Sequence, residues 1–169
     1  MDRAQFWRLI DEAKEASGGD LDAQLDIVET RLAEYPPEEI ISFDGILHQL
    51  MNESYTRDLW AAAYILNGGC SDDCFDYFRG WLIAQGEQVY NEALRDPETL
   101  ASVANLEEPE FESILYAAWT AYENKTGQEF PHTMRDSPEL KGEDWDEDSV
   151  EQKYPKLAAA VGYTDEDED

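Results

Sequence analysis

Apolar residues recur along the chain at the spacing of amphipathic helices. The clearest stripe steps by three or four residues and consists of Leu21, Leu25, Val28, Leu32 and Tyr35. Asp20 precedes this stripe and is its predicted N-cap, because a short acidic side chain accepts hydrogen bonds from the free N–H groups of a first helical turn. A similar stripe over about 3–16 stops at Ser17, Gly18 and Gly19. The two segments predict a helical hairpin.

The same periodicity continues through most of the chain and is interrupted by proline and glycine. The predicted helices cover about 3–16, 20–35, 37–51, 58–67, 72–94, 111–126 and a short segment at 150–157. The helix over 72–94 is apolar around much of its circumference, which predicts a central position in the fold. No segment alternates apolar and polar residues as a half-buried strand does.

These segments predict an all-α fold, a compact bundle of about six to seven helices in a single domain over residues 1–162. The segment 128–149 carries two prolines and has no period of its own, so we expect a long connection there. Residues 163–169 are mostly acidic and predict a disordered, solvated tail.

Acidic residues far outnumber basic ones, which restricts the classes of partner. The 169 residues include 12 lysines and arginines against 40 aspartates and glutamates, for a formal net charge of −28. The excess is present both in 1–100 and in 101–169, so it belongs to the folded body. The 42% apolar and 12% aromatic content predicts that the chain folds. A field of this sign disfavours nucleic acid and anionic membranes as direct partners.

The start of the chain and its cysteines bear on the compartment of the protein. The first residues lack a basic stretch followed by an apolar run, and no segment has the roughly 18 apolar residues of a membrane span. We therefore expect a cytoplasmic protein. Cys70 and Cys74 have no further ligands at metal-binding spacing, and in a reducing compartment we expect free thiols. A two-cysteine metal site is the less favoured alternative.

The start of the predicted central helix holds the most suggestive polar cluster. Asp72, Asp73 and Asp76 place three carboxylates near one helical face, where they suit a hard divalent cation and the phosphate groups of a substrate. The favoured alternative is structural, because acids in a first turn interact favourably with the helix dipole whether or not a metal binds. Asp76 then pairs with Arg79 or Arg57.

Arg79 lies in the most apolar helix, where an unpaired guanidinium is costly to bury. We favour an internal ion pair over the alternative, a pocket in which Arg79 binds the carboxylate or phosphate of a ligand. Trp60, Tyr64 and Trp81 are the predicted walls of such a pocket.

Trp145 lies within an acidic run at 143–148, a composition that suits contact with a basic partner surface. The alternative is that its indole packs on the body and holds the long connection in place.

No catalytic motif accompanies these residues. His48 and His132 lie on different elements, and neither has a cysteine or a second histidine at ligand spacing. A nucleophile elbow, a P-loop and a dinucleotide-binding glycine pattern are all missing from the sequence. The aspartates beside Cys70 disfavour a reactive thiolate there.

Several motifs resemble a bacterial family. They are the runs 58–64, 67–73 and 75–83, together with Phe6-Trp7, Gly86, Val89, the run 144–148 and Tyr154-Pro155. Over about residues 3–160 the chain resembles the uncharacterised proteins known as domain of unknown function 4240. The resemblance implies one domain and a bacterial cytoplasmic setting. It implies no activity, substrate or ligand set.

The sequence leaves the function unknown and supports three hypotheses. The leading one is a non-enzymatic interaction module whose negative field attracts a basic protein surface, as a nucleic-acid mimic or an immunity protein does. The alternative is a small enzyme or ligand-binding protein assisted by a divalent cation and centred on Asp72, Asp73, Asp76 and Arg79. The third is that the acidity reflects only solubility in a salt-rich cell. We expect no other cofactor, and the sequence carries no sign of oligomeric state.

Overall fold

Helices make up most of the backbone in the computed structural model, which describes residues 1–103, 108–133, 135 and 137–161. The α-helices are α1 (Arg3–Ser17), α2 (Leu21–Leu32), α3 (Pro37–Glu53), α4 (Arg57–Asn67), α5 (Asp72–Ala84), α6 (Glu87–Arg95), α7 (Ala117–Thr126), α8 (Val150–Lys153) and α9 (Pro155–Ala160). Two 3₁₀ helices cover Pro97–Ser102 and Glu112–Tyr116. The all-α prediction is confirmed, and within the described residues the seven longer helices α1 to α7 agree in number with the six to seven that were expected.

Capping residues set the ends of the first two helices. Asp2 accepts a hydrogen bond from the Gln5 backbone N–H (2.8 Å), and the Gln5 side chain accepts one from the Asp2 N–H (2.9 Å), which forms a capping box. α1 ends at Gly18, and the Asp20 carboxylate caps α2 as predicted. The two helices pack against each other, so the predicted hairpin is confirmed.

The prediction of one helix over about 72–94 is wrong, because the chain turns at Gly86. α5 ends at Ala84 and α6 begins at Glu87, with a Gly86 φ of 103° between them. A Cβ atom at position 86 would collide with the Asp11 carboxylate, which accepts a hydrogen bond from the Glu87 N–H (3.3 Å). The turn therefore depends on a residue of α1 that lies far away in the sequence.

The C-terminal part of the chain is more interrupted than its apolar pattern predicts. The helix expected over 111–126 consists of the second 3₁₀ helix followed by α7. Tyr154 separates α8 from α9, which begins at Pro155, where one short helix was expected. The 3₁₀ helix Pro97–Ser102 has no counterpart in the sequence prediction.

The long connection over 128–149 contains no helix in its described residues, as expected. An isolated parallel bridge between Thr56 and Lys141 attaches it to the start of α4. The predicted acidic tail at 163–169 lies outside the described residues.

α5 lies at the centre of the core. Its side chains Phe75, Phe78, Trp81 and Leu82 are each at most 1% exposed. The first three rings stack in a row, with centroids 6.3 Å and then 5.7 Å apart. α5 contacts α1, α3, α4, α6 and the second 3₁₀ helix. The predicted central position is thus confirmed for the part of the segment that forms α5.

Candidate functional site

A cavity of about 480 Å³ opens beside the N-terminal half of α5. Its walls come from α3, α4, α5, the second 3₁₀ helix and α7, and residues 137–138 of the long connection contribute to its edge. The ionisable and amide side chains in its lining are His48, Asn52, Asp72, Asp76 and Arg79. The aromatic side chains are Tyr55, Trp60, Tyr116 and Trp119. The size and mixed lining suit a small organic group.

Some of the residues predicted for a site meet at this cavity and others do not. Those that line it are Asp72, Asp76, Arg79 and Trp60. Trp81 instead borders a separate cavity of about 530 Å³ between α1, α2 and α5. Tyr64 and Trp145 contact each other, with ring centroids 5.3 Å apart. Asp73 is not among the described residues that line the cavity.

Arg79 is 4% exposed and forms an internal ion pair with the Asp76 carboxylate. Its Nε donates to the Phe75 carbonyl (3.3 Å), and its Nη1 donates to the Met51 carbonyl (2.5 Å). The guanidinium carbon lies 4.8 Å from the Tyr55 ring centroid. Burial lowers the pKa of the guanidinium, and Asp76 opposes this effect. Arginine nevertheless stays charged at physiological pH, so the internal pair neutralises it at the cavity wall.

The two acids at the start of α5 occupy its first turn. Ser71 is the N-cap, and its hydroxyl accepts a hydrogen bond from the Cys74 N–H (3.3 Å). Asp72 and Asp73 therefore lie where a negative charge favours the helix dipole. Among the described residues, no three or more histidine, cysteine, aspartate or glutamate side chains are grouped so as to hold a metal ion. The divalent-cation hypothesis stays a prediction.

The expectation of free thiols is wrong, because Cys70 and Cys74 form a disulfide. Cys70 ends the connection after α4, and Cys74 lies in the first turn of α5. Ser71 is extended, and the start of α5 directly after it brings the two Cα atoms to 5.2 Å, a separation that a disulfide spans. The spacing of the two cysteines alone did not indicate this geometry.

A second polar cluster lies behind the cavity and centres on Asp44 of α3, which is 1% exposed. Arg135 Nη2 lies 2.9 Å from Asp44 Oδ2. His48 Nδ1 lies 2.8 Å from the Asp44 backbone carbonyl and 3.5 Å from Asp44 Oδ2. The ring of Trp119 packs edge-on against that of His132, with centroids 4.6 Å apart. Both histidines, which the sequence places on different elements, thus lie near one buried carboxyl.

Burial raises the pKa of the Asp44 carboxyl above its ordinary value. His48, Arg135 and His132 oppose this effect, as does the indole N–H of Trp119. Asp44 Oδ1 and Trp119 Nε1 are both buried, and neither has a hydrogen-bond partner in the described part of the chain. The indole N–H therefore lies near enough to lower the pKa of the carboxyl but does not form a hydrogen bond with it.

We expect Asp44→Asn to change how stability depends on pH. A carboxyl with a raised pKa binds more protons in the folded state than in the unfolded state. Its stabilising contribution is fully present below the unfolded value of 3.8 and is lost as the pH rises through the folded-state pKa. Urea unfolding from about pH 3.5 to pH 7 should show the wild type losing stability relative to Asp44→Asn. A difference between the two proteins that stays constant over this pH range would contradict this.

Two features of the sequence point to Asp44 and were not used in the prediction. Asp44 lies on the apolar face marked by Ile40, Phe43 and Leu47, where an acid requires a partner. His48 follows four residues later, so it lies on the same side of the helix. No feature of the sequence indicates Arg135 as the partner, because it follows in a connection without periodicity.

Trp145 holds the long connection against α4. Its Nε1 donates to the Arg57 carbonyl (2.7 Å), and Arg57 Nε lies 2.8 Å from Asp144 Oδ1. The Arg57 N–H donates to the Lys141 carbonyl (2.7 Å). These contacts agree with the interpretation that the Trp145 indole packs on the body and holds the long connection in place. The neighbouring acids remain exposed.

Acidic side chains cover the surface of the described residues, among which Asp44 alone of the acids is buried. Some of the basic side chains form ion pairs at the surface. These pairs join Arg3 to Glu53, Arg31 to Glu12, Arg57 to Asp144 and Lys153 to Asp58. The described acids, apart from Asp44, are therefore accessible to solvent, and they outnumber the basic residues that could offset them.

Residues 1–124 match the model of a protein family described as Protein of unknown function (DUF4240). The match covers more than half of the 169 residues. The chain belongs to the DUF4240 family. This confirms the resemblance found in the sequence, and the DUF4240 match includes α3, α5 and the second 3₁₀ helix at the cavity. The acidic run at 143–148 lies beyond it.

The DUF4240 family has no assigned function, and no curated protein and no solved structure matches the chain. Within the described residues, every helix is too short or too polar to cross a membrane.

Proposed function

We propose that the protein recognises a basic protein surface and that the cavity beside α5 receives a lysine or arginine side chain of that partner. The observation that carries this proposal is the combination of carboxylates and aromatic rings in one cavity of an acidic protein. Asp72 and Asp76 line the cavity together with Trp60 and Tyr116. Carboxylates attract a cation, and aromatic faces stabilise it further.

The charge balance at the cavity favours a cationic group. Arg79 contributes little free positive charge, because Asp76 pairs with it inside the wall. Asp72 is exposed and has no ion pair within the described residues. A cation that enters the cavity therefore meets at least one carboxylate without a cationic neighbour. The negative charge of the surrounding surface also attracts basic partners toward the protein.

The aromatic walls suit the apolar stem of a long basic side chain. Trp60 stacks on Phe75, with centroids 4.7 Å apart, and its Nε1 donates to the Cys70 carbonyl (3.0 Å), so its orientation is held. Tyr116 packs against Trp119 at 5.0 Å. Among the described residues, Tyr116 is the exposed large apolar side chain, with a fractional exposure of 38%. An exposed aromatic residue at a cavity edge is typical of a binding surface.

We expect Asp72→Asn to weaken binding of a basic peptide. The probe is a short arginine-containing peptide, and the same peptide with citrulline in place of arginine tests the need for charge. Loss of one exposed carboxylate close to the cation should lower affinity by up to about fivefold, because an exposed ion pair contributes at most about 1 kcal/mol. Isothermal titration calorimetry measures this, and affinity should fall as salt is added.

Asp22→Asn is the matched control, because it removes the same charge from the first turn of α2, away from the cavity. Equal losses of affinity in Asp72→Asn and Asp22→Asn would show that the cavity does not bind the peptide. Equal affinity for the citrulline and arginine peptides would show the same. Should Mg²⁺ or Mn²⁺ instead raise the melting temperature, with the rise abolished by Asp73→Asn, the divalent-cation hypothesis would replace this one. No response to either probe would favour acidity as a solubility adaptation.

A further inference from the structure

The disulfide between Cys70 and Cys74 lies next to the lining of the candidate cavity, although neither cysteine is among the lining residues. Asp72, which lines the cavity, is inside the five-residue segment that the bond closes. The Cys70 carbonyl accepts the hydrogen bond from Trp60 Nε1 (3.0 Å). One covalent bond thus restrains both a carboxylate and an aromatic ring of the site.

Other contacts hold the surrounding fold without this bond. The Ser71 hydroxyl caps α5, and the Gly69 N–H donates to the Tyr64 carbonyl (2.8 Å). Residues four positions apart close a small ring, which restricts the unfolded chain less than a cross-link over a long loop. The main effect of the bond is therefore local, and the protein is expected to stay folded when it is broken.

The chain before Cys70 borders open space at Gly69. No heavy atom lies within 4 Å of a Cβ built at Gly69, apart from its immediate neighbours in the chain. Both cysteines are partly exposed, so a small thiol can reach them. Both sulfurs are therefore accessible to exchange with a small thiol, although the neighbouring aspartates do not favour a thiolate at Cys70.

We propose that Cys70 and Cys74 form a reversible thiol–disulfide site that controls binding at the cavity. This rests on the function proposed above. A low-molecular-weight thiol, as thiolate, attacks one sulfur and forms a mixed disulfide, and the other cysteine leaves as a thiolate. A second thiolate then releases the first cysteine. The protein gains two electrons and, after protonation, two thiols, while the reductant becomes a disulfide.

Reduction lowers affinity because the site is less organised before binding. The Cys70 segment gains freedom, so Trp60 and Asp72 must be ordered when the cation enters. Immobilising two side chains and a short loop weakens binding about tenfold. In a reducing compartment the oxidised, high-affinity form is transient, so binding reports an oxidising condition.

The full chain tests this proposal in its oxidised form and after reduction with dithiothreitol, with alkylation and mass spectrometry to count thiols. Hydrogen exchange at residues 69–76 should be faster in the reduced form. The arginine peptide should bind the reduced form about tenfold more weakly. The double variant Cys70→Ser and Cys74→Ser should behave like the reduced protein and should not respond to dithiothreitol.

The proposal is overturned if dithiothreitol leaves the bond intact in the folded protein, or if exchange and affinity are equal in both forms. Equal affinity would leave the proposed function standing. Should the peptide bind neither form, the proposed function fails, and the exchange measurement alone decides whether the bond controls the cavity wall. If the double variant fails to fold, the reduced wild-type protein supplies the same comparison.

Discussion

Gly80→Ala is expected to lower the free energy of unfolding by about 2 to 3 kcal/mol, because α5 packs too closely for a side chain at that position. A Cβ atom at Gly80 would lie 2.7 Å from the Phe111 carbonyl oxygen and 3.1 Å from Ile114 Cγ2. The nearer atom belongs to the backbone, which cannot move away as a flexible side chain would. The Phe111 N–H also donates to the Tyr77 carbonyl (2.9 Å), which holds the two segments together.

Gly45→Ala is the matched control, since Gly45 also lies inside a helix but has no heavy atom within 4 Å of a Cβ. Alanine there should raise stability by about 0.5 to 1 kcal/mol, because it favours the helix over the unfolded chain. Guanidinium unfolding of both variants measures the two effects. Equal changes of the same sign would show that the contact between α5 and the second 3₁₀ helix is not tight.

The second large effect is expected from Asp76→Asn, which removes the charged partner of the buried Arg79. The Arg79 side chain is 5% exposed, and its guanidinium does not lose its proton. Breaking a fully buried pair costs about 3 to 5 kcal/mol. The Asp76 side chain is 49% exposed, so water already screens the pair and a loss of about 2 kcal/mol is expected.

Removing the guanidinium as well should recover much of this loss. In the double variant Asp76→Asn and Arg79→Met, no buried charge lacks a partner, and the methionine fills part of the same apolar space. The four proteins of this double-mutant cycle, unfolded in urea, give the coupling between the two residues. Additive losses would contradict an ion pair and would assign the stability to the bonds that Arg79 makes with the Met51 and Phe75 carbonyls.

The helix boundaries that the sequence predicted correctly depend on neighbouring residues. Asp20 caps α2 and Gly127 ends α7, because each acts on backbone groups within a few positions along the chain. The boundary missed at Gly86 has a local and a distant cause. Gly86 permits the positive φ of the turn, and the Asp11 carboxylate of α1 accepts a hydrogen bond from the Glu87 N–H at the start of α6.

The same distinction between local and distant causes applies to the candidate site. The importance of the segment 72–79 and the need for a partner of Arg79 follow from local composition and burial. The sequence contains signals for Asp44 and His48, but the proximity of Trp119 emerges only when α3 and α7 are placed side by side. The disulfide required knowledge of how the chain enters α5 after Ser71, which two cysteines at this spacing do not specify.

The sequence by itself determined the helical class, most of the helix ends, the acidic surface and the membership of the DUF4240 family. These follow from periodicity, capping and composition, which act over a few residues or over the whole chain. The tertiary structure alone decided which polar and aromatic side chains share a cavity, which arginine pairs with the buried Asp44 carboxyl and where two cysteines meet. Those outcomes depend on the packing of residues far apart in the chain, and no local pattern encodes the distances between them.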